Sequence, residues 1–286
     1  MTYLKKIQFK ITVSAVRAYL HALHTVSAPK GGEKAFLIFS KPRKGRLNET
    51  ETEFLKTAKW ESLDITIPNN SPFTVQTYHW SGEKQAILLA HGWESNSARW
   101  KPLISKLQKQ GHTIIALDAP AHGATSGSVF VPIDYAACIA EVIEKYKPVA
   151  LVGHSVGGYA AAYSIAHFKT PSVKKLILLA TPSNLNQIFD AFLNFLKLSP
   201  KLHRAFYHHI KKKYGKTSEE FALEHFADKI QATGLIIHDT QDELIQPNDA
   251  KIIQKSWGKA ELIMTEGLGH RLRDEKVYKA ILNFLV

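Results

Sequence analysis

The stretch Gly153-His154-Ser155-Val156-Gly157-Gly158 stands directly behind the apolar run Val149-Ala150-Leu151-Val152. The pattern reads as a short buried strand that turns sharply into a helix, with a serine at the apex. A serine there projects into solvent at the carboxyl end of a sheet, where its hydroxyl can attack an electrophile. Positions 153 and 157 need to lack bulk, because the strained apex brings them close together and a Cβ would crowd. A neutral hydroxyl is a weak nucleophile. It becomes useful when an imidazole takes its proton and a carboxylate holds that imidazole in the right tautomer.

Partners of those types follow in the chain. The run Gly234-Leu235-Ile236-Ile237-His238 precedes Asp239, Asp242 and Glu243, and the run Glu261-Leu262-Ile263-Met264-Thr265 precedes Gly267-Leu268-Gly269-His270. Serine, then aspartate, then histidine is the order expected when all three sit at strand carboxyl ends of one parallel sheet. His270 stands out among the fourteen histidines because it alone follows the last predicted strand behind a Gly-x-Gly turn. Upstream, Ala86-Ile87-Leu88-Leu89-Ala90 ends in His91-Gly92-Trp93, a turn able to aim backbone N–H groups at a developing oxyanion. The N–H of Trp93 and that of Val156 are the candidate donors, and the helix starting at Val156 adds its positive end.

These residues need a scaffold. From Gln85 onward, short apolar strands alternate with helical stretches near 97–110, 132–146, 157–168, 248–257 and 274–284. That is the rhythm of a parallel sheet covered on both faces. Ahead of it, alternating residues over 63–67 and 73–78 predict a hairpin with Pro68-Asn69-Asn70-Ser71-Pro72 as its turn. The first sixty residues read as an extension packed on the core: an amphipathic helix over 4–24, a strand at Ala35-Phe36-Leu37-Ile38-Phe39, and a short helix from Glu51 to Ala58. In that first helix Phe9, Val13, Val16, Leu20 and Leu23 form one apolar stripe. The rhythm breaks between residues 183 and 230, where the chain is too long for a crossover and reads as an insertion. Pro200 opens a helix there, and Thr217 to Glu220 fits a capping box.

Taken with Asp118-Ala119-Pro120-Ala121-His122-Gly123 behind the strand Thr113–Leu117, these motifs resemble the α/β-hydrolase fold superfamily, in its serine hydrolase and esterase form. The resemblance covers residues 60 to 286. It implies an α/β fold with a mostly parallel sheet flanked by helices, a core of residues 61–182 and 231–286, and a helical lid over 183–230. Members of the family commonly carry His-Gly-x-x-Asp at the acid strand. His238 to Asp242 matches that spacing, so the resemblance implies Asp242 as the acid, although Asp239 stands where glycine is usual. It also implies ester or thioester cleavage through an acyl-enzyme on Ser155 and no cofactor. A phenylalanine-rich lid suggests an apolar acyl or aryl group walled by Trp93, Phe189, Phe192 and Phe195. His91, Asp118, His122 and His154 read as loop-fixing residues. The rival readings are a binding protein of the same fold without turnover, and a peripheral-membrane lipase or acyltransferase.

Composition narrows the partners. With 286 residues, 45% of them hydrophobic, the chain can bury a sizeable core. A formal net charge of +12 fits a lysine-rich surface. Weak contact with anionic membranes is compatible with it, whereas nucleic-acid binding would need a recognised module or basic residues interleaved with exposed aromatics. Arg17, His21 and His24 interrupt the apolar run that a signal peptide requires. The single cysteine, Cys138, cannot form an intrachain disulfide and reads as a buried thiol, so the expected location is the cytoplasm. The spacing of His203, His208 and His209 misses the i, i+4 arrangement of metal ligands. Neither a dinucleotide fingerprint nor a phosphate loop is present, and the sequence leaves the oligomeric state open.

Overall fold

The computed structural model describes residues 3–66 and 73–286; the expected turn at 68–72 lies outside the described residues. The strands are β1 (Lys59–Ile65), β2 (Phe73–Trp80), β3 (Lys84–Ala90), β4 (His112–Leu117), β5 (Ala150–His154), β6 (Lys175–Leu179), β7 (Thr233–Asp239) and β8 (Ala260–Thr265). The helices are α1 (Tyr3–Val26), α2 (Ala28–Phe39), α3 (Glu49–Leu55), α4 (Lys101–Lys109), α5 (Pro132–Tyr146), α6 (Val156–His167), α7 (Asn186–Phe195), α8 (Pro200–Tyr214), α9 (Pro247–Ser256) and α10 (Glu275–Leu285). They fall into two compact units, one of residues 42–183 and 223–286, the other of residues 1–41 and 184–222.

The first unit is an eight-stranded sheet in the order β1-β2-β4-β3-β5-β6-β7-β8. Strands β1 and β2 pair antiparallel, Leu63 opposite Val75, and β2 runs antiparallel to β4. From β4 to β8 every pairing is parallel. Side chains alternate across the pleat. Ile87, Leu89, Val152, Ile177 and Ile237 therefore share one face, where they pack with Leu103, Ile104 and Leu107 of α4 and Ile281 of α10. On the other face α5 and α6 pack together, and α6 also packs on β3, β5 and β6. Coverage of both faces explains why these strands read as unbroken apolar runs. It also leaves the carboxyl ends of β3, β5, β7 and β8 as the edge from which loops emerge side by side.

The insertion is anchored where it leaves the sheet unit. The backbone N–H and hydroxyl of Ser183 both donate to Asp249 Oδ1, at 2.7 and 2.5 Å. The returning chain closes the neck through Leu223 N–H to the Ser183 carbonyl at 2.7 Å.

The second unit is helical. Leu20 is buried on α1, Val13, Val16 and Leu23 are partly buried beside it, and Arg17 Nε donates to the Leu196 carbonyl at 2.7 Å. Ile11, Tyr19 and Val26 form an exposed apolar stripe on the opposite side of the same helix. The strand expected at Ala35–Phe39 is instead the end of α2. Ser27 caps this helix and Pro29 stands in its first turn. An apolar run of five fits a buried strand and a buried helix equally until such start signals are weighed. Phe36 and Phe39, three apart on one helical face, meet Phe206 at 5.8 and 6.2 Å between ring centroids. Beyond α8 the capping-box pair forms one of its two bonds, Thr217 N–H to Glu220 Oε2, and starts only the single 3-10 turn Glu219–Phe221.

Candidate active site

Ser155 occupies the turn between β5 and α6 with φ +55° and ψ −131°, a backbone conformation that a non-glycine residue holds only when its surroundings enforce it. Two glycines allow the turn. A Cβ at Gly153 would meet the Cα of Gly158 at 2.5 Å and the carbonyl oxygen of Gly157 at 2.8 Å, so the crowding inside the elbow comes from the backbone of both residues and most closely from position 158 rather than 157. At Gly157 the obstacle is different: a Cβ there would lie 2.1 Å from the carbonyl oxygen of His91. This second glycine therefore lets the loop behind β3 approach the helix.

The three side chains far apart in sequence converge. Ser155 Oγ lies 3.0 Å from His270 Nε2, and His270 Nδ1 donates to Asp242 Oδ2 at 2.8 Å. Ser155 and Asp242 are buried, while the His270 ring is partly exposed. Oδ1 of Asp242 accepts the backbone N–H groups of Leu244 and Ile245 at 2.9 and 3.0 Å. Burial works against the Asp242 charge. Hydrogen bonds from His238, His270 and Ile245 outweigh it and hold the carboxyl well below the usual carboxylate range. Asp242 is thus an ionised acceptor that selects the His270 tautomer with its proton on Nδ1 and its lone pair facing serine.

Asp239 takes a different place. Its carboxylate bonds backbone and hydroxyl donors of the two neighbouring loops, and Glu243 is exposed. His238, to which the sequence assigns no role, shares its Nε2–H between the Ile245 carbonyl at 3.0 Å and Asp242 Oδ2 at 3.3 Å. The signal was present, since His238 opens the His-x-x-x-Asp spacing itself.

Val156 is the first residue of α6, so its N–H belongs to the turn that lacks intrahelical acceptors. The other candidate donor belongs to a turn set by two imidazoles. His91 Nε2 accepts the N–H of Ala119 at 2.9 Å, which leaves Nδ1–H to donate to the Gly92 carbonyl at 2.8 Å. In a planar trans peptide the Gly92 carbonyl and the Trp93 N–H point opposite ways. Holding that carbonyl therefore turns the Trp93 N–H away from His91. On the far side of Trp93, His122 Nε2 accepts the N–H of Glu94 at 2.9 Å and its Nδ1–H donates to the Pro120 carbonyl, with Glu94 at φ +50°. Burial pushes both rings down to about 4, so they are neutral at physiological pH. Asp118, wholly buried, receives Tyr78 Oη and the N–H groups of Ser97 and Ala124. His154 donates from Nε2 to the His270 carbonyl at 2.8 Å. Burial first, then the Arg99 and His270 charges, keep His154 well below its ordinary value.

Of the residues expected to wall a pocket, the Trp93 indole meets the Phe130 ring edge-on at 5.2 Å within the sheet unit. In the helical unit, Phe189 and Phe192 both contact Phe39 at 5.2 Å, and Phe195 is exposed.

Comparison with known proteins agrees with this architecture. A family model for the alpha/beta hydrolase fold matches residues 85–277, and the chain belongs to that family. Pimeloyl-[acyl-carrier protein] methyl ester esterase of Pseudoalteromonas atlantica is 30% identical over 49% of this chain and 52% of its own length. Mouse monoacylglycerol lipase ABHD6 is 21% identical over 71% of this chain and 76% of its own. The chain spans between 38% and 76% of the length of the curated relatives it matches. Among solved structures, the Pyrococcus furiosus esterase Pf2001 superposes with a TM-score of 0.62 at 18% identity, covering 86% of this chain and 97% of that one.

Proposed function

We propose that this chain is a serine hydrolase that cleaves an ester or thioester through an acyl-enzyme on Ser155. The observation that carries the reading is the unbroken relay from Ser155 Oγ through His270 to the ionised Asp242. Oγ attacks the acyl carbon while its proton passes to His270 Nε2. The resulting imidazolium is stabilised by Asp242, which remains ionised. The tetrahedral oxyanion is met by the N–H groups of Val156 and Trp93, each such donor being worth roughly 10²–10³ in turnover. Collapse breaks the bond to the alcohol or thiol, which leaves with the proton from Nε2. Water then attacks the acyl-enzyme, again giving its proton to His270; collapse breaks the bond to Ser155 Oγ, which takes that proton back from Nε2 as the acid departs. Esters as the substrate class also fit the relatives, whose names specify a methyl ester and a monoacylglycerol. The Trp93–Phe130 pair supplies an apolar wall for the acyl or aryl group.

A fluorophosphonate probe provides the test: it labels the native chain and leaves Ser155→Ala unlabelled. A native chain that resists labelling at every pH between 6 and 9 would instead favour a binding protein of the same fold.

A second reading adds contact with an anionic lipid surface. It is favoured by the exposed stripe Ile11, Tyr19 and Val26 on α1, together with the net charge of +12.

A further inference from the structure

His270 lies in a loop with little regular structure of its own. Between the end of β8 and the start of α10 it forms one 3-10 turn, Gly269–Arg271, and the backbone runs through positive φ at Gly267, Gly269 and Leu272. Such a segment has few internal bonds to fix where its imidazole sits, and a base displaced by about 1 Å can cost 10²-fold in rate. His154 holds the His270 carbonyl from the β5 side, and a second fixing point comes from the neighbouring strand β7. Asp239, the last residue of β7, is wholly buried and pairs in register with Thr265. Its Oδ2 accepts Leu268 N–H at 3.0 Å and the Thr265 hydroxyl at 2.7 Å, while Oδ1 accepts Gln241 N–H at 3.0 Å. One carboxylate therefore ties the loop carrying His270 to the loop carrying Asp242. A glycine in its place would offer none of these acceptors.

We propose that Asp239 is a positioning residue that sets the distance between Asp242 and His270 by bridging their two loops. The inference rests on the Ser155 reading above. Burial opposes the Asp239 charge, but hydrogen bonds from Thr265, Leu268, Gln241 and Gly269 keep the carboxyl below its ordinary value. The bridge thus stays ionised, and charged acceptors make the stronger hydrogen bonds.

The experiment compares the native chain with Asp239→Asn and Asp239→Gly. It measures nitrophenyl ester kinetics, the rate of fluorophosphonate labelling at Ser155, and the downfield NMR signal of the His270 Nδ1 proton. Asp239→Asn keeps the shape and one acceptor oxygen, so kcat should fall about 10-fold; the glycine variant should fall about 10²-fold. In both, KM should stay within about twofold, labelling should slow in step with kcat, and the downfield signal should shift or broaden. Should the glycine variant fail to fold, the isosteric asparagine variant decides alone. Native labelling rates and an unmoved proton signal in Asp239→Asn overturn the inference, even if its Tm drops, because the residue would then be structural only. A native chain that is never labelled overturns the hydrolase reading itself, and this inference with it.

Discussion

Acid should loosen this protein through the two imidazoles that hold the turn around Trp93. Burial pulls His91 and His122 from the ordinary 6.5 down to about 4 in the folded chain. A depressed histidine is protonated more readily in the unfolded state, so stability falls with pH between those values. Above pH 6.5 both states are neutral at these rings and nothing is lost; below about 4 the loss is complete. Each pH unit of the gap is worth about 1.4 kcal/mol, so each ring costs about 3 kcal/mol in full and about 2 kcal/mol by pH 5. Two rings then remove about 4 kcal/mol at pH 5, a Tm drop of roughly 10 °C for a chain of this size. Ordinary carboxylates, near pH 4, titrate mostly below pH 5 and contribute little to the change between pH 7.5 and 5. His154, held neutral by burial and by nearby positive charge, acts in the same direction. The discriminating variant is His122→Gln, whose amide oxygen can still accept the Glu94 N–H but does not titrate. Denaturant unfolding of both chains at pH 7.5, 6 and 5 should show the variant losing about 2 kcal/mol less than the native chain across that interval. Equal losses in the two chains, or a native stability that is level from pH 7.5 to 5, would refute the reasoning.

Gly157→Ala places a methyl 2.1 Å from the His91 carbonyl and 2.7 Å from that of Ala90, so either the elbow or the Trp93 turn has to move. Turnover should fall by roughly 10²–10³ with KM little changed, the cost of misplacing one oxyanion donor; steady-state kinetics that match the native chain would exclude this role for the glycine. Anionic vesicles should retain the native chain at low salt and release it as salt rises, and Tyr19→Glu with Val26→Glu should weaken retention. Equal retention on neutral and anionic vesicles, or no retention at low salt, would rule out the lipid-surface reading.

The sequence was informative wherever a requirement is local. Gly153-His154-Ser155-Val156-Gly157 encodes a strained turn because only small residues tolerate its crowding, and unbroken apolar runs such as Leu176–Leu179 signal strands buried on both faces. Ser27 and Pro29 likewise carried a helix start that the apolar run Ala35–Phe39 obscured. Tertiary structure decided what depends on distance between strands. Only the parallel register of β7 and β8 brings Asp242 within 2.8 Å of His270 and turns Asp239 toward the backbone of the next loop. Beyond the spacing from His238 that the family resemblance supplies, nothing in the sequence separates two aspartates three positions apart, since a hydrogen bond is chosen by direction as well as proximity. Likewise, nothing local marks His91 and His122 as the pair that orients the peptides on either side of Trp93, because their acceptors and donors come from segments about thirty residues away.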